Sequence, residues 1–321
     1  MHVRSRGWII NPEDLTRRLI DRLAASGINE LGIHPGGGKA APELLLKTLA
    51  FHEEKRTREL YDYAGERGVT VEYDAHVLSY LLPRSEFSAH PEWFRMDESG
   101  ARVNDANMCA SNEDALDYVS KRARELALTL KTPSHRYAYW TDDIVGKTCR
   151  CPRCREKTAA QQTLTITNAI ARGLKSADPQ AITGFLAYLD ALEVPEGIRP
   201  EKGVYLEYAP IGRDSARAIN DAQSPENVHQ TAKLAALIAY FDAKNARVVE
   251  YWADNSRFSN WTRPPKYMSL NAQVMRADVK YYLECGFEDM TSFACFLGED
   301  YEALYGPAPV EEYGEILSGE Y

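Results

Sequence analysis

Eight short apolar segments recur along this chain, and longer helical patterns separate them. The segments span 2–10 (HVRSRGWII), 30–35 (ELGIHP), 69–76 (VTVEYDAH), 136–143 (RYAYWTDD), 181–190 (AITGFLAYLD), 203–210 (GVYLEYAP), 246–254 (ARVVEYWAD) and 288–296 (EDMTSFACF). Between them, 13–27, 43–68, 111–131, 225–243 and 271–286 carry helical patterns. The first begins after Asn11-Pro12 and stops at Gly27; the third opens with Ser111 and Asp114 in capping-box spacing. Strand–helix alternation with eight strands predicts an α/β fold, a single (β/α)8 barrel over 1–321. A doubly wound sheet is the rival, but no glycine-rich phosphate fingerprint opens the first helix.

Three stretches interrupt the alternation: 77–110, 144–155 and 254–268. They are long loops after strands three, four and seven. In a barrel the C-terminal strand ends form the functional face. The formal charge of −9 disfavours a nucleic-acid backbone or an anionic membrane surface as main partner. No apolar run approaches the ~20 residues that span a bilayer. The opening MHVRSRGWIINPEDL has no signal-peptide core, so a cytoplasmic location is expected.

Polar groups at the strand ends are His34, Asp74, His76, Asp142, Asp143, Asp190, Glu207, Glu250 and Asp254. A cleft ringed by carboxylates, histidines and aromatics suits glycoside chemistry, which needs two carboxyl groups about the scissile bond. Alternatively the substrate's own acetamido group attacks, one acid orienting it and its neighbour protonating the leaving group. By fold analogy Asp143 after strand four and Glu250 after strand seven form the pair, with Glu207 as the spare. The bland reading of Asp142-Asp143 is a helix cap with a solvated neighbour, and of the glutamates an ion pair at the barrel mouth. His34 in GIHPGGG and His76 in YDAHVLSYLLP are candidate donors to sugar hydroxyls. Trp140, Tyr208, Tyr251, Trp252 and Trp261 are the candidate stacking surfaces, drawn from a chain with 19 Tyr and 5 Trp.

Cys149, Cys151 and Cys154 form C-x-C-P-x-C. A zinc site takes four ligands in tetrahedral array; the triplet supplies three, and Cys109 is the candidate fourth, although a His could serve. Three free thiols are the plainer alternative. Such a metal is expected to be structural zinc, closing the loop after strand four and holding the aspartate pair still.

The segments AHVLSYLLPRSEFSAHPEWFRMDESGARVNDANMCASNEDALDYV and DDIVGKTCRCPRC, with EYWADNSRFSNW, resemble the bacterial family called domain of unknown function 4838. The resemblance covers most of the chain. It implies a glycoside-hydrolase-like barrel related to family 20 β-hexosaminidases and α-glucuronidases. In the hexosaminidase-like pattern an Asp-Glu pair follows strand four. Asp142 matches the residue that orients the acetamido group and Asp143 the acid. The acid here is Asp, one methylene shorter than Glu.

The leading expectation is therefore a glycoside hydrolase cleaving a glycan, a β-N-acetylhexosaminide or a uronide. The alternative is a degenerate barrel that binds carbohydrate without cleaving it. A zinc-clipped base-exchange enzyme on RNA is a third reading, opposed by the net charge and by the lack of a suitably placed histidine after the triplet. The expected partner is a carbohydrate, not nucleic acid or membrane, with a homodimer as the one self-association considered.

Overall fold

All eight predicted strands form. In the computed structural model, which describes residues 1–319 and 321, they close into a barrel in the order β1 to β8. These are β1 Ser5–Ile10, β2 Glu30–Ile33, β3 Thr70–His76, β4 Arg136–Trp140, β5 Ile182–Ala187, β6 Val204–Tyr208, β7 Arg247–Glu250 and β8 Asp289–Phe293. Six of the expected segments run past the C-terminal end of their strand into the loops of that face, whereas β1 and β3 end where expected and begin later. The pairing β1 to β8 is parallel, Ser5 opposite Asp289 and Ile9 opposite Phe293.

By contact the chain groups into two compact units: Met1–His34, Phe51–Glu72 and Glu207–Tyr321 form one, and Pro35–Ala50 and Tyr73–Leu206 the other. In the first unit, strand parity is read from Arg247. Its guanidinium bonds Glu30 of β2 at 2.5 Å, Glu72 of β3 at 3.0 Å and Glu207 of β6 at 2.7 Å. Reaching those strands from β7 requires that Arg247 point into the barrel. Successive strand residues face opposite sides, so Glu250, three positions on, points out. It does so: its partner Tyr282 lies on the outer helix Ala272–Glu284.

In the second unit the helices Glu113–Thr129 and Ala159–Ala177 pack against each other. A Cβ on Gly173 would come within 2.0 Å of the Ser120 carbonyl oxygen, so glycine permits that approach. Helix Ala159–Ala177 is absent from the sequence expectation. Eleven of its residues are buried, and its apolar residues recur at helical spacing as clearly as those of Glu113–Thr129. Its N-terminus is a full capping box, Thr158 with Gln161. The C-terminal helices Glu299–Tyr305 and Val310–Leu317 were also not anticipated.

Other helix boundaries differ for local reasons. The pattern 43–68 is two helices, Ala41–Glu53 and Lys55–Glu66, because Glu54 is extended at φ −64°, ψ 134°. The pattern 225–243 likewise divides into Pro225–Thr231 and Leu234–Phe241. The first helix begins at Arg17, capped by Thr16 rather than at Asn11-Pro12. The cap before Glu113 is Asn112, which accepts the Ala115 N–H; Ser111 turns instead to Cys154, 3.0 Å away. No helix among the described residues is long and apolar enough to cross a membrane.

Candidate active site

The loop after β4 carries the acidic pair, and the two side chains part company. Asp142 turns to the long loop after β3. Its Oδ1 accepts the Ser79 N–H at 2.9 Å, and its Oδ2 accepts the Ser79 hydroxyl and the Asn107 N–H, both at 2.6 Å. Asp143 reaches across the strand ends. Its Oδ1 accepts from the Tyr188 hydroxyl at 3.0 Å, in the loop after β5, and its Oδ2 accepts the Gly38 N–H at 3.2 Å, in the loop after β2. A Cβ on Gly37 would meet that Oδ2 at 2.4 Å, so the HPGGG loop closes directly on the carboxylate. Both aspartates are half-buried.

Beside the pair lies a shallow recess lined by His76, Asn107, Thr141, Asp142, Tyr188 and Asp190, among others. His76 and Trp140 end neighbouring strands and pack at 5.1 Å; the His76 Nδ1 stands 2.6 Å from the Thr141 carbonyl oxygen. The recess is polar, with hydroxyl, amide, imidazole and carboxylate groups at one opening. That mixture can hydrogen-bond a polyol.

The other predicted acids are placed differently. Glu250 is fully buried and faces the outer helices. Its Oε1 accepts from Arg213 and from the Tyr282 hydroxyl, each at 2.6 Å, and its Oε2 accepts the Tyr251 N–H at 3.0 Å. Arg213 also bonds Asp278 at 2.6 Å, and the Trp252 indole N–H donates to Asp278 at 2.8 Å. Burial, then repulsion from Glu250, pushes the Asp278 carboxyl up to about 6. Desolvation opposes charge on Arg213, but Glu250 and Asp278 outweigh it and raise its pKa. Glu207 lies inside the barrel on Arg247. Glu250 is held by Arg213 and Tyr282, and it lines a recess together with Arg213, Tyr251, Trp252 and Phe258, residues of the loops after β6 and β7.

The aromatics divide likewise. Tyr208 is in the core, its hydroxyl donating to the Gln230 carbonyl at 3.1 Å. Trp252 is buried on Asp278. Tyr251 stacks on Phe293 at 5.2 Å, and His34 packs edge-on against the same ring at 5.0 Å. Trp261 alone of the five is broadly exposed, at 66%.

The four cysteines converge. Cys109, Cys149, Cys151 and Cys154 are buried, with their sulfurs all within 4.8 Å of one another, a group that could hold a metal ion. Cys109 lies 3.6 Å from Cys151 and 3.9 Å from Cys154, sulfur to sulfur. Hydrogen bonding from Cys149 and Cys154 lowers the Cys109 thiol pKa, favouring a thiolate. The Met96 N–H donates to the Cys149 sulfur at 3.3 Å, and Arg102 approaches the same sulfur at 3.8 Å. Gln162, on the unanticipated helix, pins the loop: its Oε1 accepts the Cys149 N–H, and its Nε2 donates to the carbonyls of Cys149, Cys154 and Lys157. Gln162, Asn107, Ser79 and Tyr188 are the site residues that sequence reasoning missed. The Thr158–Gln161 capping box was the available signal for the first.

A family profile described as "Domain of unknown function (DUF4838)" matches residues 41–300. No curated protein matches the sequence. Solved structures with the same fold include the beta-galactosidase from Rahnella sp. R3, 13% identical, with a TM-score of 0.57 over 99% of this chain and 56% of that one. An O-GlcNAc hydrolase of Thermobaculum terrenum is 11% identical, with a TM-score of 0.54 over 99% of this chain and 60% of that one. A tri-modular GH5 endo-beta-1,4-glucanase from Bacillus licheniformis, complexed with cellotetraose, is 13% identical, with a TM-score of 0.53 over 98% and 59%. At such identities the likeness is one of fold, and the chain spans less than two thirds of each of these structures.

Proposed function

This chain belongs to the family described as domain of unknown function DUF4838, and from that premise we propose that it is a glycoside hydrolase acting on a glycan, with Asp143 as its acid. The observation that carries the reading is the reach of Asp143. Its carboxyl is held by donors from the loops after β2 and β5, so it projects over the strand ends. Glycosidase folds among the structural neighbours support the class.

A substrate with a 2-acetamido group fits best, because the carboxylate next to Asp143 in the loop after β4 is Asp142, with bonding capacity to spare. A carboxylate offers about four lone-pair sites; three of those on Asp142 take protein donors. The remaining one can accept the acetamido N–H. The acetamido oxygen then attacks the anomeric carbon as the glycosidic bond breaks, and Asp143 gives its proton to the leaving oxygen. In the second half, Asp143 takes a proton from water, which opens the cyclic intermediate and restores the acetamido group.

The outward turn of Glu250 and the inward burial of Glu207 favour a second reading, a barrel that binds glycan without cleaving it. Hydrolysis of a panel of aryl N-acetylhexosaminides, uronides and hexosides by wild type and Asp143→Asn separates the two. Turnover reduced at least ~100-fold in the variant supports the acid role. Undiminished turnover moves the acid elsewhere; no turnover on any substrate, with glycan binding intact, supports the binding barrel.

We further propose that the cysteine cluster holds structural zinc. With Zn–S of ~2.3 Å a regular tetrahedron has sulfur–sulfur edges of about 3.8 Å, and the edges of 3.6 and 3.9 Å bracket it. N–H groups directed at Cys149 suit a thiolate ligand. Chelation should lower the melting temperature by several degrees and Cys151→Ser should reproduce the loss. A chain purified without metal and melting unchanged in the variant would refute the clip.

A further inference from the structure

Asn107 spends every polar atom it has. Its backbone N–H donates to Asp142 Oδ2 at 2.6 Å, and its Oδ1 accepts the Asp142 N–H at 3.2 Å. Its Nδ2 donates to the Lys147 carbonyl at 3.1 Å, and its own carbonyl accepts from Arg84 at 3.0 Å. The residue sits at φ +50°, a left-handed conformation that Asn tolerates better than other non-glycine residues. Two residues after Asn107 the chain supplies Cys109, and two residues after Lys147 it supplies Cys149. The Asn107–Lys147 bond therefore ties together the two segments that enter the cysteine cluster, and the same side chain grips Asp142.

We infer that Asn107 is a positioning residue that couples the cysteine cluster to the acidic pair. An ordered cluster fixes the 107–109 and 147–149 segments. Asn107 passes that order to the Asp142 backbone and carboxylate through a two-point contact. Asp143, the next residue, inherits the direction that Asp142 sets. Asn at this position serves three demands at once: the left-handed backbone, an acceptor for Asp142 and a donor for Lys147. Aspartate would lose the donor, and glycine would keep only the backbone contact. The inference rests on the acidic-pair reading for its consequence in turnover, whereas the coupling itself is tested without activity.

The experiment is amide hydrogen exchange on zinc-loaded wild type and Asn107→Gly. Glycine keeps the φ and the N–H bond to Asp142 while removing both side-chain bonds, so the fold should survive. Exchange in peptides covering 141–147 should quicken at least ~10-fold, with peptides covering 149–155 and the melting temperature nearly unchanged. Chelating the zinc should quicken both regions in wild type. In Asn107→Gly it should quicken 149–155 and add nothing further at 141–147. Equal protection of 141–147 in the two loaded proteins overturns the inference, as does chelation loosening 141–147 equally in both. A protein that binds no zinc refutes the metal reading and leaves the comparison of Asn107→Gly with wild type to decide the coupling. Where a hydrolysed glycoside is in hand, kcat should fall ~10- to 100-fold with KM little changed. A matching rise in KM alone would assign Asn107 to substrate binding instead.

Discussion

Asp14 is 6% exposed, and its Oδ2 has no hydrogen-bond partner among the described residues. Burial, then repulsion from Glu13, raises its carboxyl from 3.8 to about 7, with Arg263 offsetting part of the shift. The fold therefore prefers neutral Asp14. A carboxyl whose pKa is raised on folding stabilises fully below its unfolded value and loses that contribution as pH climbs through the folded value. Asp14→Asn imitates the neutral form. Its melting temperature should match wild type near pH 4, pull ahead between about pH 4 and 7, and hold a constant lead above. A lead that does not change with pH would show that folding leaves the Asp14 pKa unshifted. At this scale residue types were legible and side-chain directions only partly so. Asp142 and Asp143 were readable as a pair at a strand end, but which would be pinned and which would reach across depended on Ser79, Asn107 and Tyr188, distant in sequence. The direction of Glu250 was illegible for a simpler reason. The parity of β7 is fixed by Arg247 seeking three buried carboxylates, a preference invisible until those partners are known.

At the scale of elements, the strands were more legible than the helices. The eight strands were found because short apolar runs bounded by turns are distinctive. Helix Ala159–Ala177 was passed over although its apolar residues recur at helical spacing; it buries Gln162, Thr167 and Asn168 as well. That same helix carries Gln162 to the cysteine loop, so its placement matters to the site. Its contact with helix Glu113–Thr129 depends on Gly173. A methyl there would overlap the Ser120 carbonyl, a backbone atom that cannot rotate aside. Gly173→Ala should therefore destabilise by about 1–3 kcal/mol despite alanine's better helix propensity, read as a lower denaturant midpoint at unchanged m-value. Stabilisation would mean that the helices separate without cost.

At the scale of the whole molecule, the barrel's inner polar cluster sets a condition on folding. Arg247 is completely buried on β7, and its guanidinium holds Glu30 of β2, Glu72 of β3 and Glu207 of β6. The strands it joins include ones far apart around the barrel, so the cluster is satisfied only once the sheet has closed. A buried charge set of this kind is costly to desolvate, and replacing all of it with apolar groups is often harmless; removing one member is not. Arg247→Met should leave Glu30, Glu72 and Glu207 facing one another without their shared cation, at a cost of about 3–5 kcal/mol. The loss should be greatest at neutral pH, where carboxylates left without the guanidinium repel, and smaller in mild acid, where they can take up protons. Restoring apolar shape at all four positions together should recover part of the stability, since these mutually bonded charges are then removed as a set. Equilibrium unfolding of the single and quadruple variants at pH 5 and pH 7.5 reads both effects. A single variant as stable as wild type at both pH values would mean that the glutamates satisfy one another without Arg247, and the cluster would then contribute nothing to barrel closure.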